Sequence, residues 1–414
     1  MSKIGLENYR DFRYILLPNA SCPEIPVGDV HVTPQPHQGR ARFNQGVHGA
    51  RGLFAFLVFV FHVVNSGLQT IPILRTAPAQ FILRTPEYGV ELFFCISGFV
   101  IAGTLSRARS PQAFLEDRAI RIYPVLSASV LAIVGLGFLT HVHAYPGSVQ
   151  SLGWIVPLNM LALPGALPLP IIHPAAWSLS YEIFFYLFCA ACWVLRSRLG
   201  RALPWVAGPV GIVMIVFYPR AIFFAAGVLV ARGWLRHPFL RRATDYPLLF
   251  ILLFLGTWRF IQQLTLPQHI TTTTLLDWAT DARLPLAVLA FLFATLGFAG
   301  IVEGRGSFVA FLRTRPLQYL GTISYSFYIW HPIVMSGAKT ALLRCGAVAT
   351  AGEGAQLLFF IVALPPSLLL AHVSERLLER RLAVALRQRL YHSPPRQPPP
   401  TTPEKSVLPA LEKT

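Results

Sequence analysis

Ionisable side chains lie inside long apolar stretches at two widely separated places in the sequence. Arg51 and His62 stand eleven residues apart in RGLFAFLVFVFH, and His331 follows the stretch SYSFYIW. An ionisable group in hydrocarbon is costly and is a candidate for function, and a histidine suits general base catalysis near neutral pH. At 1.5 Å per residue, His62 should lie about 16 Å and His331 about 20 Å into the membrane. Similar depth predicts one shared site; the alternative is two core histidines bonded to backbone carbonyls.

Two acidic residues are candidates to orient a histidine or to stabilise its imidazolium. Glu91 opens an apolar segment in EYGVELFFCISGFVI, and Glu182 lies just inside another in HPAAWSLSYEIFFYL. An acid beside a histidine performs both tasks in hydrolase triads. The alternative for each acid is a structural ion pair with an arginine. Glu182 is therefore a candidate catalytic residue together with the histidines, and Glu91 is a candidate substrate contact.

Aromatic, hydroxyl and guanidinium groups near these positions are candidates for binding substrates. Trp177 with Ser178 suits a wall on which a sugar stacks, and Tyr325 can hydrogen-bond an acceptor hydroxyl. Arg118 and Arg121 in EDRAIRIYP precede another apolar segment, and guanidinium groups bind the phosphates of a nucleotide-carried donor. The alternatives are an interfacial aromatic anchor for Trp177 and topology-setting positive charge for the two arginines.

Helices that cross a bilayer are needed to position these residues. Of the 414 residues, 54% are hydrophobic and 13% charged, whereas soluble domains have a charged share of about 25%. Apolar runs of about 17–22 residues recur, and each is long enough to span about 30 Å of hydrocarbon. The sequence therefore predicts an all-α polytopic membrane bundle with about ten transmembrane helices, near 49–68, 87–105, 123–140, 176–195, 203–218, 219–235, 246–263, 283–302, 318–341 and 355–374.

The net charge of +17 is explained by membrane topology rather than by nucleic-acid binding. The basic residues stand in short clusters between the apolar runs, and arginines concentrate in alternate loops, around 107–121, 196–201, 236–242 and 305–315. Positive charge favours cytoplasmic loops. We therefore expect both termini to lie in the cytoplasm, the lipid bilayer to be the surrounding medium, and no nucleic acid to be a partner.

The chain divides into one membrane domain with an extension at each end. Residues 46–380 form the predicted transmembrane domain, residues 1–45 a flexible N-terminal extension, and residues 381–414 a proline-rich disordered tail, both extensions being cytoplasmic. The apolar segment 150–172 contains four prolines and is predicted to be a re-entrant or interfacial loop on the outer face. The five cysteines are scattered, and their spacing predicts neither a disulfide framework nor a metal site.

Five motifs, taken in order along the chain, resemble the integral-membrane acyltransferase family 3. Its members are bacterial inner-membrane enzymes that O-acylate surface polysaccharides, lipopolysaccharide O-antigen, peptidoglycan, lipo-chitooligosaccharides or some antibiotics. The resemblance covers about residues 45–380. The motifs are RGLFAFLVFVFH at 51–62, GVELFFCISGFVI at 89–101, RAIRIYP at 118–124, WSLSYEIFFY at 177–186 and ISYSFYIWHP at 323–332.

The resemblance implies roles for several residues and a donor. It implies acyl-coenzyme A as a donor substrate on the cytoplasmic side, with no bound cofactor, and His62 as the catalytic base with Arg51 as its motif partner. Glu91 stands where many members carry aspartate. Glu182 is the single carboxylate where members often show two adjacent acids after WSLS.

The expected reaction is transfer of an acyl group, with acetyl as the first candidate, from acyl-coenzyme A to a hydroxyl of an exported or lipid-linked saccharide. Such an exchange needs a base, a group that stabilises the developing oxyanion, and exclusion of water. His62 is the expected base or transient acyl carrier, and His331 or Arg51 is expected to stabilise the oxyanion. The first alternative is a transporter of a glycan or small metabolite, because polar midplane residues and broken segments also occur there. The second is a scaffold subunit without the chemistry.

Overall fold

The computed structural model describes residues 43–140, 148–233, 238–264 and 283–391, and its regular elements are helices. Within these ranges no named strand occurs, and one isolated bridge joins Pro164 and Leu167. In chain order the α-helices are α1 Gln45–Val64, α2 Pro72–Arg75, α3 Ala77–Arg84, α4 Gly89–Leu105, α5 Pro111–Thr140, α6 Leu152–Met160, α7 Ala176–Leu199, α8 Leu203–Phe217, α9 Ile222–Ala231, α10 Pro238–Ala243, α11 Pro247–Leu264, α12 Arg283–Glu303, α13 Gly306–Leu312, α14 Arg315–Arg344, α15 Ala347–Ala351, α16 Ala355–Ser374 and α17 Ala383–Tyr391. Short 3-10 turns occupy Thr85–Tyr88, Val149–Ser151, Gly200–Ala202, Pro219–Ala221 and Gly352–Gly354.

Every predicted transmembrane segment coincides with a helix of the structure, and the all-α polytopic bundle is confirmed. By length and hydropathy, six stretches of the described chain can cross a membrane, one of which, Ala176–Phe217, contains both α7 and α8. Pro219–Ala231 and Pro247–Ile261 are shorter apolar helices. The 30-residue helix α14 is not among the six, because serines, tyrosines and His331 interrupt its apolar sequence. The middle of this polar helix is nonetheless mostly buried, with Ser324, Ser326 and His331 among its buried residues.

Small residues bring α1 and α14 into backbone contact. A Cβ atom added to Gly321 would lie 2.3 Å from the carbonyl oxygen of His48, and glycine is the side chain that permits such an approach. His48 lies beside Gly321 near the start of both helices, and the rings of His62 and His331 lie 5.2 Å apart further along. Residue numbers thus increase together, and the two helices are parallel. Parallel packing agrees with the predicted topology, in which both are odd-numbered crossings.

A second close contact joins α4 to α9. A Cβ atom on Gly98 would lie 2.1 Å from the carbonyl oxygen of Phe224, and one on Gly227 would lie 1.9 Å from that of Cys95. Each glycine therefore faces backbone rather than a side chain that could move aside. The rings of Phe94 and Phe224 stack beside this contact at 4.5 Å between centroids. The contact fixes the position of α4, which lines both cavities described below.

The segment predicted as a re-entrant or interfacial loop, 150–172, folds as α6 followed by an irregular stretch that packs on the bundle. Buried Asn159 ties the stretch together by donating to the carbonyl of Pro170 and accepting from the N–H of Ile172. His173 is fully buried, and one ring nitrogen bonds the carbonyl of Ile329 in α14 at 3.0 Å. Burial lowers the pKa of His173 to about 4, so the ring is neutral. The stretch is therefore anchored to α14 rather than lying loose on the surface.

The helical structure continues past the predicted end of the membrane domain at residue 380. A π-helical turn covers Glu375–Leu382 and leads into α17, where Ala383 is buried and Arg387 pairs with Asp117 of α5 at 3.1 Å. Residues 381–391 are thus helical where a disordered tail was expected from 381, and buried Ala383 and the ion pair of Arg387 with Asp117 hold them to the bundle. The remainder of the tail, 392–414, and residues 1–42 of the predicted N-terminal extension lie outside the described residues.

Candidate active site

Two neighbouring cavities hold most of the candidate site residues. The first, called the arginine chamber, encloses about 760 Å³ of empty space, part of it continuous with solvent, and is lined by Arg51, Arg118, Arg121, Glu182 and Tyr325 together with other hydroxyl-bearing and apolar side chains. Three arginines against one glutamate leave an excess of two positive charges on its wall. A concave site with excess guanidinium charge suits a phosphate-bearing molecule.

The polar side chains of the arginine chamber hold one another in place. Glu182 accepts a hydrogen bond from Oγ of Ser97 at 2.7 Å and another from the hydroxyl of Tyr186. The guanidinium of Arg118 lies 6.0 Å from the ring centroid of Tyr186. Nε of Arg118 is buried and has no hydrogen-bond partner among the described residues. The chamber therefore retains unused donor capacity for a ligand.

Glu182 and Arg51 lie apart from the histidines with which sequence spacing associated them. Glu182 lines the arginine chamber, whereas His62 and His331 line the other cavity, so this arrangement favours a role for Glu182 beside the arginines over the expected role beside a histidine. Arg51 lies eleven residues before His62 on one straight helix, which separates their backbones by about 16 Å. Arg51 is therefore not placed to stabilise an oxyanion beside His62. Tyr325 donates to the carbonyl of Ile122 at 2.7 Å, which ties α14 to α5 at this chamber.

A carboxylate from the C-terminal π-helical turn lies beside the arginine chamber. Glu379 accepts hydrogen bonds from Oγ and from the backbone N–H of Ser326, at 2.6 and 3.2 Å. Its charge interacts with those of Arg121 and Arg51. Single π-helical turns in otherwise regular helices are frequent at functional sites. Glu379 was not among the residues predicted from the sequence.

The second cavity, called the histidine chamber, encloses about 520 Å³ of empty space, part of it continuous with solvent, and holds both candidate histidines. His62 and His331 line it with Glu87, Trp177 and Tyr328. The ring centroids of His62 and His331 are 5.2 Å apart with an interplanar angle of 37°. Pro174 and Ala175, from the irregular stretch before α7, complete one wall. The two histidines, which are 269 positions apart in sequence, thus face one polar cavity.

The two histidines meet although their positions along their helices differ from the expectation. His62 lies in the last turn of α1, about 26 Å from Gln45, whereas it was expected near the middle of its span. α1 begins earlier than predicted and ends at Val64, where Asn65 caps it. His331 lies near the middle of α14. The rings come together because the two helices meet near their starts and run parallel, and His331 is central in α14 because that helix continues to Arg344, whereas α1 ends at Val64.

The hydrogen bonds of His331 define which nitrogen carries the proton. Nδ1 lies 3.0 Å from the carbonyl oxygen of Phe327, which only accepts, so Nδ1 is the N–H and Nε2 carries the lone pair in the neutral ring. Nε2 is buried and has no hydrogen-bond partner among the described residues. His331 is therefore placed to accept a proton or a hydrogen bond. In this tautomer it cannot donate from Nε2 to an oxyanion.

Glu91 forms the structural ion pair that was its alternative interpretation. Its side chain is fully buried and lies 3.3 Å from the guanidinium of Arg220, whose side chain is 9% exposed. The indole N–H of Trp258 donates to the same carboxylate at 3.0 Å. Glu91 lines neither chamber, so the structure favours the ion pair over the expected role as a substrate contact. Arg220 in turn lies over Trp177 at 5.1 Å and covers one face of that ring, which lines the histidine chamber.

The two chambers adjoin at Tyr328 and Val90, the residues that line both of them. The hydroxyl of Tyr328 is hydrogen-bonded to Oγ of Ser178 at 2.8 Å, and Ser178 lines the arginine chamber. Its neighbour Trp177 lines the histidine chamber. The start of α7 and the middle of α14 thus form the partition between the cavities.

Three residues of this region were missed in the sequence. Glu87 lies one helical turn before Glu91 and lines the histidine chamber, so the spacing of the two acids was a usable signal. Arg220 stands alone in a loop predicted to face outward, where the positive-inside rule disfavours it. An arginine on the side of the membrane where positive charge is disfavoured was therefore a usable signal for an ion pair. Glu379 offered no such signal, because it lies in a charged stretch that resembles a solvated helix end. Among the described residues, no group of three His, Cys, Asp or Glu side chains could hold a metal ion.

The chain is similar in sequence to known proteins over most of its length. The model of acyltransferase family 3, described as an acyltransferase domain, matches residues 44–374. The chain is 30% identical over 285 residues to the exopolysaccharide production protein ExoZ of Rhizobium meliloti (strain 1021), covering 64% of this chain and 81% of that protein. It is 26% identical over 375 residues to the acyltransferase MdmB of Streptomyces mycarofaciens, covering 81% of this chain and 93% of that protein. No solved structure matches the chain significantly.

Proposed function

We propose that this protein transfers an acyl group from acyl-coenzyme A to a hydroxyl of an exported or lipid-linked saccharide. The premise is that the chain belongs to acyltransferase family 3 and is therefore an acyltransferase. Acetyl is the acyl group we expect. The observation that carries the proposal is the pairing of an arginine-lined chamber with a chamber that holds two histidines, across one shared wall. The name of one relative, which refers to exopolysaccharide production, supports a saccharide acceptor.

The arginine chamber suits the donor. Coenzyme A carries phosphates at one end and the acyl thioester at the far end of an extended arm. Guanidinium groups of Arg118 and Arg121 would bind the phosphates, and Glu182 would hold the surrounding groups in place. The arm would then point along the bundle toward the histidine chamber. Arg51, on the same chamber wall, would contribute charge to donor binding rather than to the reacting oxygen.

The histidine chamber suits the acceptor. A saccharide hydroxyl placed beside His62 would lose its proton to the ring while its oxygen attacks the thioester carbon. The new C–O bond forms, the C–S bond breaks, and the coenzyme A thiolate takes the proton back from His62. Nε2 of His331 would accept a hydrogen bond from an N–H group of the His62 imidazolium and so stabilise that cation. Glu87 would supply the negative charge expected earlier from Glu91 or Glu182.

The positions of the two chambers along the bundle support the predicted orientation in a bacterial inner membrane. The arginine chamber is lined by Arg51 near the start of α1 and by Arg118 in the first part of α5. The histidine chamber is lined by His62 at the end of α1 and by Trp177 at the start of α7. With both termini in the cytoplasm, the first chamber faces the cytosolic donor and the second faces the exported acceptor.

A direct test uses purified protein in detergent. The protein is mixed with acetyl-coenzyme A labelled in the acetyl group and with oligosaccharides from the native cell surface, and base-labile label on the saccharide is measured. We expect ester formation without any membrane gradient. A variant with Arg118→Gln and Arg121→Gln should need far more donor for the same rate. If label reaches saccharide only with another acyl donor, the assignment of the arginine chamber is wrong.

The transporter alternative predicts a different result. A transporter moves labelled substrate into sealed vesicles and forms no new ester. Ester formation in detergent, where no compartments exist, therefore contradicts it. Mass spectrometry of surface glycans from a deletion strain identifies the product, since the proposal predicts loss of one ester type.

A further inference from the structure

The proposed reaction lacks an assigned donor for the oxyanion, and this inference rests on that reaction. When the acceptor oxygen adds to the thioester, negative charge develops on the carbonyl oxygen and must be stabilised by a hydrogen-bond donor. Arg51 lies about 16 Å along α1 from His62, and His331 presents a lone pair at Nε2. Neither residue expected to fill this role is therefore placed to do so.

The thioester must lie where the two chambers meet, because its coenzyme is held in one and its attacker in the other. Tyr328 is the polar residue that lines both chambers. Its ring lies 6.0 Å from that of His331 and 6.0 Å from that of Phe93, measured between centroids. Packing against these rings fixes the side chain, so its hydroxyl occupies a defined point at the partition.

The hydroxyl of Tyr328 can donate without any movement of its side chain. Oγ of Ser178 lies 2.8 Å from this hydroxyl and 3.1 Å from the carbonyl oxygen of Ala175, which can only accept. Ser178 has one proton, so when it donates to Ala175 the Tyr328 proton points to Ser178. If Ser178 turns its proton toward Tyr328 instead, the Tyr328 proton is released toward the cavity. Rotation of two hydroxyl groups is sufficient.

We propose that the hydroxyl of Tyr328 donates the hydrogen bond that stabilises the thioester oxyanion, and that Ser178 positions it. The acceptor oxygen forms a bond to the carbonyl carbon, and the carbonyl electron pair moves onto oxygen, where Tyr328 donates to it. The intermediate collapses when that pair reforms the carbonyl and the C–S bond breaks. The thiolate leaves toward the arginine chamber and takes the proton held by His62. Tyr328 is thus a catalytic residue that keeps its own proton throughout.

The test compares Tyr328→Phe with Tyr319→Phe in purified protein. Loss of one oxyanion donor costs about 10²–10³ in kcat, so Tyr328→Phe should lose that much while the donor KM and Kd for acetyl-coenzyme A stay within about threefold of wild type. Tyr319 is on the same helix, is 43% exposed and bonds His372, and its variant should behave as wild type. Unchanged donor binding also shows that Tyr328→Phe is folded.

Ser178→Ala separates the positioning role from general packing. Because Ser178 acts through Tyr328, its removal should lower kcat by about tenfold, and the double variant should be no slower than Tyr328→Phe alone. Additive losses in the double variant would overturn the positioning role. A Tyr328→Phe enzyme with kcat near wild type would overturn the inference, as would faster donor hydrolysis with unchanged transfer. Wild-type protein that fails to use acetyl-coenzyme A would instead overturn the proposed function.

Discussion

The buried ion pair between Glu91 and Arg220 predicts that Glu91 acts on stability rather than on substrate. The change to test is Arg220→Met, which leaves the Glu91 carboxylate without its guanidinium partner at a site with no solvent access. Trp258 still donates one hydrogen bond, which cannot replace the lost charge. The second change, Glu91→Gln combined with Arg220→Met, removes both charges together.

The expected magnitude follows from burial. The two side chains are 0% and 9% exposed and 3.3 Å apart, and removal of one partner from such a pair costs about 3–5 kcal/mol. A tenfold change in an equilibrium corresponds to about 1.4 kcal/mol, so the opening equilibrium of α4 should rise by about 10²–10⁴. The double variant leaves no buried charge without an opposite partner and should recover about 2 kcal/mol or more of the lost free energy of unfolding. Arg220 also covers Trp177, so recovery is incomplete.

Cysteine labelling provides the assay. Cys95 is fully buried one helical turn after Glu91, and Cys345 is exposed. A thiol reagent therefore reaches Cys95 only when α4 opens, whereas Cys345 reacts at once and serves as an internal standard. The labelled fraction at each cysteine is read by mass spectrometry of peptides from protein in detergent. Arg220→Met should label at Cys95 about 10²–10⁴ times faster than wild type, and the double variant should fall between them.

Labelling of Arg220→Met at Cys95 at the wild-type rate would contradict a stabilising role for the ion pair. That role is also refuted if Glu91→Gln alone keeps Cys95 fully protected and yet abolishes acyl transfer. That result would return Glu91 to the role of substrate contact expected from the sequence.

Three further predictions concern packing and charge. Gly227→Ala should prevent recovery of folded protein, because its Cβ would lie 1.9 Å from a carbonyl oxygen of α4, whereas Gly256→Ala meets nothing within 4 Å and should elute normally from a sizing column. Arg121→Gln should raise the KM for acetyl-coenzyme A by about 10- to 100-fold and weaken its salt dependence, with Arg344→Gln at the end of α14 as the unaffected control. Glu379→Gln removes a negative charge that interacts with Arg121 and should lower that KM several-fold; an increase would contradict its assignment as a competing counter-charge.

The long helices were predictable because the bilayer imposes a minimum apolar length. Runs of about 20 residues correspond to one crossing each, and Pro, Gly and Arg clusters mark their ends. Helix ends were less predictable. α1 ends at Val64 because Asn65, Ser66 and Gly67 stop it, and the apolar count alone extended the segment to residue 68. The helical residues 381–391 were missed because proline-rich sequence just beyond them dominated the composition.

The meeting of His62 and His331 was predictable from the free-energy cost of placing a polar side chain in hydrocarbon. Two histidines in apolar helices avoid most of that cost when both face one shared cavity. The ion-pair partner of Glu91 was not predictable. Glu91 and Arg220 are 129 positions apart, and their pairing depends on the backbone contact of Gly98 and Gly227 that joins α4 to α9. Sequence spacing gives depth along a helix but not the direction in which a side chain points.

The division of the site into two chambers was also beyond sequence reasoning, for the same physical reason. Ser178 and Trp177 are adjacent in sequence, and each lines a different chamber, because successive residues on a helix point about 100° apart. Glu182 lies one turn further along α7 and joins the arginines. Which face of α7 meets which neighbour is decided by packing over the whole bundle.

In the proposed reaction, His62 removes the proton from the acceptor hydroxyl in a chamber separate from the donor phosphates. The most direct measurement is the single-turnover rate of acetyl transfer by His62→Gln, compared with His372→Gln, a half-buried helix histidine that bonds Tyr319. General base catalysis contributes about 10²–10⁴, so His62→Gln should lose that much while still binding acetyl-coenzyme A, and His372→Gln should match wild type. Transfer by His62→Gln at the wild-type rate would contradict the account.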